Sequence, residues 1–127
     1  MRFVVLAAAL LFSFSAAAHE MTPAYLKITP SEVTDVYATE ISMLNRRSDV
    51  DYYQISVFDG EWNRLPFASF QRLFKLPYSK RKSIKIYFQK EVANKVVYVC
   101  TKSKLYKGAG TFVSSRYYGL ICIAIEF

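Results

Sequence analysis

The stretch Ser83-Ile84-Lys85-Ile86-Tyr87-Phe88-Gln89 (residues 83–89) sets Ile84, Ile86 and Phe88 on one side of an extended chain and Lys85, Tyr87 and Gln89 on the other. Period two marks a half-buried strand; an amphipathic helix would space its apolar residues three and four apart. Two upstream runs repeat the pattern. Tyr37, Thr39, Ile41 and Met43 alternate with Ala38, Glu40, Ser42 and Leu44, and Tyr53, Ile55 and Val57 alternate with Gln54, Ser56 and Phe58. Downstream, Val96 to Cys100 is a shorter β-branched and aromatic run, and Ile121, Ile123, Ile125 and Phe127 alternate with Cys122, Ala124 and Glu126. Turn residues separate the runs at Thr29-Pro30-Ser31, Asn45 to Asp49, Asp59-Gly60, Leu76-Pro77 and Gly108-Ala109-Gly110. Only residues 67–75 leave room for a turn or two of helix. About seven short strands in one small domain predict an all-β fold, a two-sheet antiparallel sandwich.

Composition agrees with a single packed core. The 127 residues are 53% hydrophobic and 21% charged, opposite to the signature of disorder, and 4 Gly with 4 Pro exclude a collagen-like chain. Met1-Arg2 supplies a short positive start, residues 3–14 an almost wholly apolar run, and Ala16-Ala17-Ala18 a small-residue cleavage site. Together they predict a signal peptide over residues 1–18 and a mature domain over residues 19–127. The apolar run is shorter than the ~20 residues of a spanning helix. The expected product is a periplasmic or secreted domain with no transmembrane segment after cleavage. In an oxidising compartment the even pair Cys100 and Cys122 predicts a disulfide. Pairing them as opposed residues runs residues 95–101 antiparallel to the last strand, with the bridge on the outer face and an apolar core face of Val97, Val99, Ile121 and Ile123. No Asn-x-Ser/Thr sequon occurs, which points toward a bacterial periplasm.

Catalytic chemistry finds few materials. His19 is the one histidine, so no internal general base exists for a Ser or Cys nucleophile, and no Gly-rich phosphate loop or nucleophile elbow is present. Asp49/Asp51 and Asp59/Glu61 are spaced like carboxylate pairs but flank expected turns, where acidic residues are ordinary. The expectation is a protein without enzymatic activity. After cleavage His19 would carry an α-amine and an imidazole on one residue, a pair that suits Cu(II); the alternative is a solvated terminal His. Any such site needs further ligands from Glu20 or an Asp, and no other cofactor is implied.

Charge is unevenly distributed. Residues 19–61 hold 3 basic and 8 acidic groups, whereas residues 62–127 hold 13 basic and 2 acidic. Lys80, Arg81 and Lys82 are expected in a turn, and Lys102, Lys104 and Lys107 at a hairpin tip beside Tyr106 and Phe112. A basic surface of this kind predicts an anionic partner, such as an acidic protein face or an anionic envelope headgroup, against the alternative of solvated charge. Export disfavours nucleic acid.

The order Leu26-Lys27-Ile28-Thr29-Pro30, a strand ending Met43-Leu44-Asn45, Tyr53-Gln54-Ile55-Ser56-Val57, and Leu73-Phe74-Lys75-Leu76-Pro77 with a basic turn before Ser83-Ile84-Lys85-Ile86 resembles the N-terminal domain of periplasmic pilus-assembly chaperones. The resemblance implies an immunoglobulin-like sandwich that lends a pilin an edge strand of alternating apolar residues, with two basic side chains holding the pilin's terminal carboxylate. By position, Ile121, Ile123, Ile125 and Phe127 match the lent row and Arg116 one basic anchor. Where the other anchor falls this chain has Glu32, leaving Lys27 as the nearest base, and the family's second domain has no counterpart in the sequence. The expected function is therefore a non-catalytic binding or assembly protein acting on a pilin-like or acidic protein partner. The alternatives are a structural subunit of an appendage or virion, and a small copper carrier using His19.

Overall fold

The computed structural model describes residues 19–114 and 120–125. The expected leader, Arg116 and Phe127 lie outside them. Among the described residues nine strands form two antiparallel sheets. In the first, β3 (Val36–Leu44) pairs along its full length with β6 (Arg81–Gln89), and its other side takes β1 (Glu20–Thr22) at one end and β2 (Thr29–Pro30) at the other. In the second, β4 (Tyr52–Phe58) lies between β5 (Leu73–Lys75) and β7 (Tyr98–Tyr106), and β7 also pairs with β8 (Phe112–Ser114) and β9 (Leu120–Ala124). The order β1-β3-β6 against β5-β4-β7-β9 is the connectivity of an immunoglobulin-like sandwich, with β5 beside β4 rather than β6. Between β1 and β2 the chain leaves the first sheet, and the Leu26 N–H donates to the Ala124 carbonyl (2.9 Å). The opening segment thus ties both sheets.

The core lies between the inward rows that period two defines. Ile41 and Met43 of β3 and Ile84, Ile86 and Phe88 of β6 face Tyr53, Ile55 and Val57 of β4, Val99 of β7 and Ile123 of β9, all buried. Removing such rows from water at about 25 cal/mol per Å² is the main force holding the sheets together.

Several local expectations are corrected. Residues 67–75 form no helix: Leu73–Lys75 is β5, and the one described helical turn is α1 (Lys90–Ala93), linking β6 to β7. Apolar side chains in that stretch follow the sheet instead, with Phe74 opposite Tyr53. Thr29–Pro30 is a short strand, not a turn. Arg81 and Lys82 open β6, and Lys102 and Lys104 lie inside β7, whose reversal is made by Gly108, Ala109 and Gly110 at positive φ. The inward row of β7 is not wholly apolar, because Thr101 and Ser103 are fully buried in it.

Cys100 and Cys122 are bonded and directly opposed in the β7–β9 register. The Ile125 N–H donates to the carbonyl of Val97, just before β7, whereas the Ala124 carbonyl accepts from Leu26 on the far side. Stepping back by twos, Cys122 turns its backbone away from β7, so the cysteines form a non-hydrogen-bonded pair. Such pairs approach most closely in an antiparallel ladder, and their Cα atoms are 4.0 Å apart. The bridge joins neighbouring strands of one sheet on its outer side, as expected from the sequence.

Candidate functional site

Three regions carry chemistry: a buried polar seam between the sheets, the outer edge of β9, and the outer face of the second sheet.

The seam corrects the picture of a solvated His19. Its side chain is 2% exposed, sits 4.7 Å from the Tyr53 ring, and reaches from the β1 side to Thr101 on β7. His19 Nε2 shares a hydrogen bond with Thr101 Oγ1 (2.7 Å), and the same hydroxyl also lies against Met21 Sδ. Nδ1 is buried and has no hydrogen-bond partner among the described residues. Burial pushes the imidazole pKa from 6.5 to about 4; the Thr101 bond opposes the shift and nearby Arg47 adds to it. Beside it, Asn45 Nδ2 donates to the carbonyls of Val50 (2.7 Å) and Leu76 (2.8 Å), and Asn45 Oδ1 accepts from the Tyr53 hydroxyl (2.6 Å) and the Arg47 N–H (2.8 Å). Arg47 forms a two-point ion pair with Asp49 at 3.0 and 2.6 Å. The described partners in this network all come from the fold itself, which makes it scaffold. Glu20 is paired with Arg46 (2.8 Å), and among the described residues no three His, Cys, Asp or Glu converge on a common point.

At the edge of β9, Ile123 is 4% exposed within the core, and Ile121 and Ile125 are half-buried, Ile125 against the same core. The candidate apolar row therefore packs within its own domain. Its backbone differs: Leu120 and Cys122 present their N–H and C=O groups to the outside, and among the described residues none pairs there before Leu26 meets Ile125. Lys27 lies beside this junction and also borders a groove of about 650 Å³ with Glu32, Glu40 and Lys85, a charge-balanced setting.

On the outer face of the second sheet, Lys102 and Lys104 stand in a row with Tyr98, Cys100 and Tyr106 on β7. Lys102 is opposite Gln54 and Leu120; Lys104 is opposite Tyr52. Lys75 on β5 lies over the Tyr52 ring (6.0 Å), and Arg64 reaches the Ser56 hydroxyl (3.5 Å) and sits over Phe58 (5.7 Å). Partial burial and the like charges of Lys102 and Arg64 hold the Lys104 ammonium pKa below its usual range. At one end Tyr52, Tyr106 and Phe112 pack with centroids 5.1 to 5.9 Å apart; at the other Trp62 stacks on Tyr98 at 4.2 Å and tilts against Phe58 at 5.6 Å. Lys80 and Arg81 lie instead on the first sheet's side, exposed, with Lys82 over the Phe74 ring (5.3 Å), and Lys107 begins the β7–β8 turn. The basic surface is thus two groups, not one.

Sequence reasoning missed the aromatic ends and the seam. Tyr52, Phe58 and Tyr98 occupy outward positions of strands whose inward rows are apolar, and that parity was a readable signal; Trp62 arrives from a loop and left none. The spaced acids are local: Asp59 accepts from the Glu61 and Asn63 N–H groups (2.9 Å each), which lowers its pKa, and Asp51 is 3.8 Å from Lys75. No helix among the described residues is long and apolar enough to cross a membrane. No protein-family model, curated protein or solved structure matches the chain.

Proposed function

We infer that the protein is an exported, non-catalytic binding or assembly protein, similar in action to a single-domain pilus chaperone, which engages an extended segment of another protein along β9 and an anionic partner on its basic face. The observation that supports the reading is the open edge: among the described residues the outward backbone groups of Leu120 and Cys122 are unpaired, while Ile123 is buried in the core and Ile125 packs against it. Open strand edges are templates for an added strand. The internal disulfide suits an oxidising compartment.

Charged substitutions in the Ile row would unfold the domain, so the test acts on the edge. Leu120→Pro deletes an N–H that faces outward and leaves the bonds to β7 intact. Tagged protein recovered from its native envelope should carry a bound protein that Leu120→Pro loses at unchanged melting temperature. A partner retained equally by both forms overturns the edge reading.

A further inference from the structure

We propose that the free edge of β6, from Arg81 to Lys85, takes up an extended acidic segment of another protein as an added strand of the first sheet, with a glutamate side chain entering the cavity between this edge and residues 69–71. This second site rests on the reading of a non-catalytic binding protein but not on the open edge of β9, which lies on the opposite side of the sandwich.

Backbone comes first. One side of β6 is filled by β3 along its whole length, and on the other side Tyr87 exchanges both of its backbone bonds with Ala68 (2.9 and 2.8 Å). Alternate residues of a strand turn their backbone groups to the same side, so Ser83 and Lys85 present their N–H and C=O groups where Tyr87 does. Among the described residues these four groups have no backbone partner. The cause is the path of the chain, which leaves β6 after Ala68 and by Leu73 pairs with β4 of the other sheet. Room for one short strand is left beside β6. The described residues that border the undescribed ones, His19, Ser114, Leu120 and Ile125, all sit at the far edges of the two sheets.

A cavity of about 220 Å³ lies beside this edge, between β6 and residues 69–71. Buried Phe74 and Ile84 give it an apolar floor, and Ser69, Gln71 and Lys82 add polar groups. The Ser69 hydroxyl is buried and has no hydrogen-bond partner among the described residues, although such groups ordinarily find one. The Lys82 ammonium rests over the Phe74 ring (5.3 Å), and its described polar contact is the neutral Gln71 amide oxygen at 3.4 Å. An inward side chain of a strand added beside Ser83 would enter here. Glutamate suits the place, because its methylenes can lie on Phe74 and Ile84 while its carboxylate takes charge-assisted bonds from Lys82 and Ser69. Phe70, 95% exposed at the rim, would be covered by the same strand.

Charge selects the partner. Residues 62–90 contain no Asp or Glu, so neither β6 nor the segment facing it brings an acid to this edge. Glu40, opposite Lys85, is the one acid on β3, and no described ion pair joins Arg81, Lys82 or Lys85 to any residue. Cations along an edge guard it against a second copy of itself, whose Arg81 and Lys85 would meet like charges. That protection needs neither a cavity nor an exposed ring beside the strand. Open backbone, a cavity with a cation in its wall and one sign of charge together fit an acidic strand.

Fluorescence anisotropy with a labelled octapeptide of alternating glutamate and threonine tests the site. The controls are the same peptide with lysine for glutamate, the same peptide N-methylated at every residue, and oligothymidylate. The glutamate peptide should bind, and each control at least tenfold more weakly. Ser83→Pro deletes an N–H on the open side and spares the bonds to β3, so it should cost at least tenfold at unchanged melting temperature. Lys82→Gln and Phe70→Ala should cost several-fold each, and Lys95→Gln, which removes an equal exposed charge elsewhere, should bind as wild type. If Ser83→Pro is unfolded, the N-methylated peptide carries the same test. Absence of glutamate-peptide binding, equal binding of the N-methylated peptide or of oligothymidylate, indifference to Lys82, or a dimer that Ser83→Pro dissolves overturns the proposal. Leu120→Pro reads the other edge separately: peptide binding kept in that variant supports two distinct edges, whereas peptide binding lost in it assigns the segment to β9 and overturns the site on β6.

Discussion

Asn45 has no exposed surface, and its side chain makes four described hydrogen bonds, two given to carbonyls and two accepted from Tyr53 and the Arg47 backbone. It closes β3 onto the loop before β4 and onto the turn after β5. Replacing it by Ala strands four buried groups, each worth about 1 kcal/mol or more when unpaired. Asn45→Ala should lose about 4 kcal/mol in urea unfolding, and Tyr53→Phe, which removes one bond, about 1 kcal/mol. His19 predicts a pH dependence. Burial disfavours its imidazolium most, the Arg47 charge adds to this, and a hydrogen bond with Thr101 only partly offsets it. With a folded pKa of about 4 against 6.5 unfolded, the unfolded chain binds the proton first. Stability is therefore full above pH 6.5, declines as pH falls, and levels off below about 4. The loss is at most about 3 kcal/mol. Melting temperatures of wild type and His19→Gln between pH 7 and pH 4.5 should converge; parallel curves would mean that His19 titrates normally.

Elements with apolar alternation were readable because burial and periodicity coincide in them: β3, β4 and β6 match their expected rows residue for residue. The failure at β7 has a physical cause. From Thr101 onward its inward row is Thr101, Ser103 and half-buried Leu105 while its outward row is basic, so the hydrophobic signal stops four residues into the strand and its second half reads as a polar loop. What keeps those residues extended is pairing with β4 on one side and β8 and β9 on the other, a long-range effect that no local pattern encodes. The basic row of β7 is hidden for the same reason, since the local pattern places Lys102 and Lys104 at a hairpin tip. The disulfide was legible because only two cysteines exist. Closing 22 residues, it should contribute about 3 kcal/mol. Cys100→Ser with Cys122→Ser should lower stability by that amount, with β7–β9 amide protection lost first.

Across the molecule, the acidic first half of the chain is not an acidic lobe. Strands exchange between halves, so β3 lies against β6 and β4 against β5 and β7, bringing Glu40 to Lys85 and Asp51 to Lys75. The segregation visible along the sequence survives in space chiefly along the outer side of β7, where none of the described strand neighbours is acidic. Like charges gathered on one face repel and destabilise the fold. Lys104 gives the measurable case. Partial burial and the charges of Lys102 and Arg64 lower its pKa, so its protonated form is disfavoured in the folded state at neutral pH, and the penalty disappears as pH rises through the lowered pKa. Lys104→Gln should therefore raise the melting temperature by a few degrees at low ionic strength, corresponding to about 0.5 kcal/mol. In 0.5 M salt, with a Debye length of roughly 4 Å, the advantage should shrink to nothing. A variant that is less stable at low salt would mean that Lys104 is held by attraction.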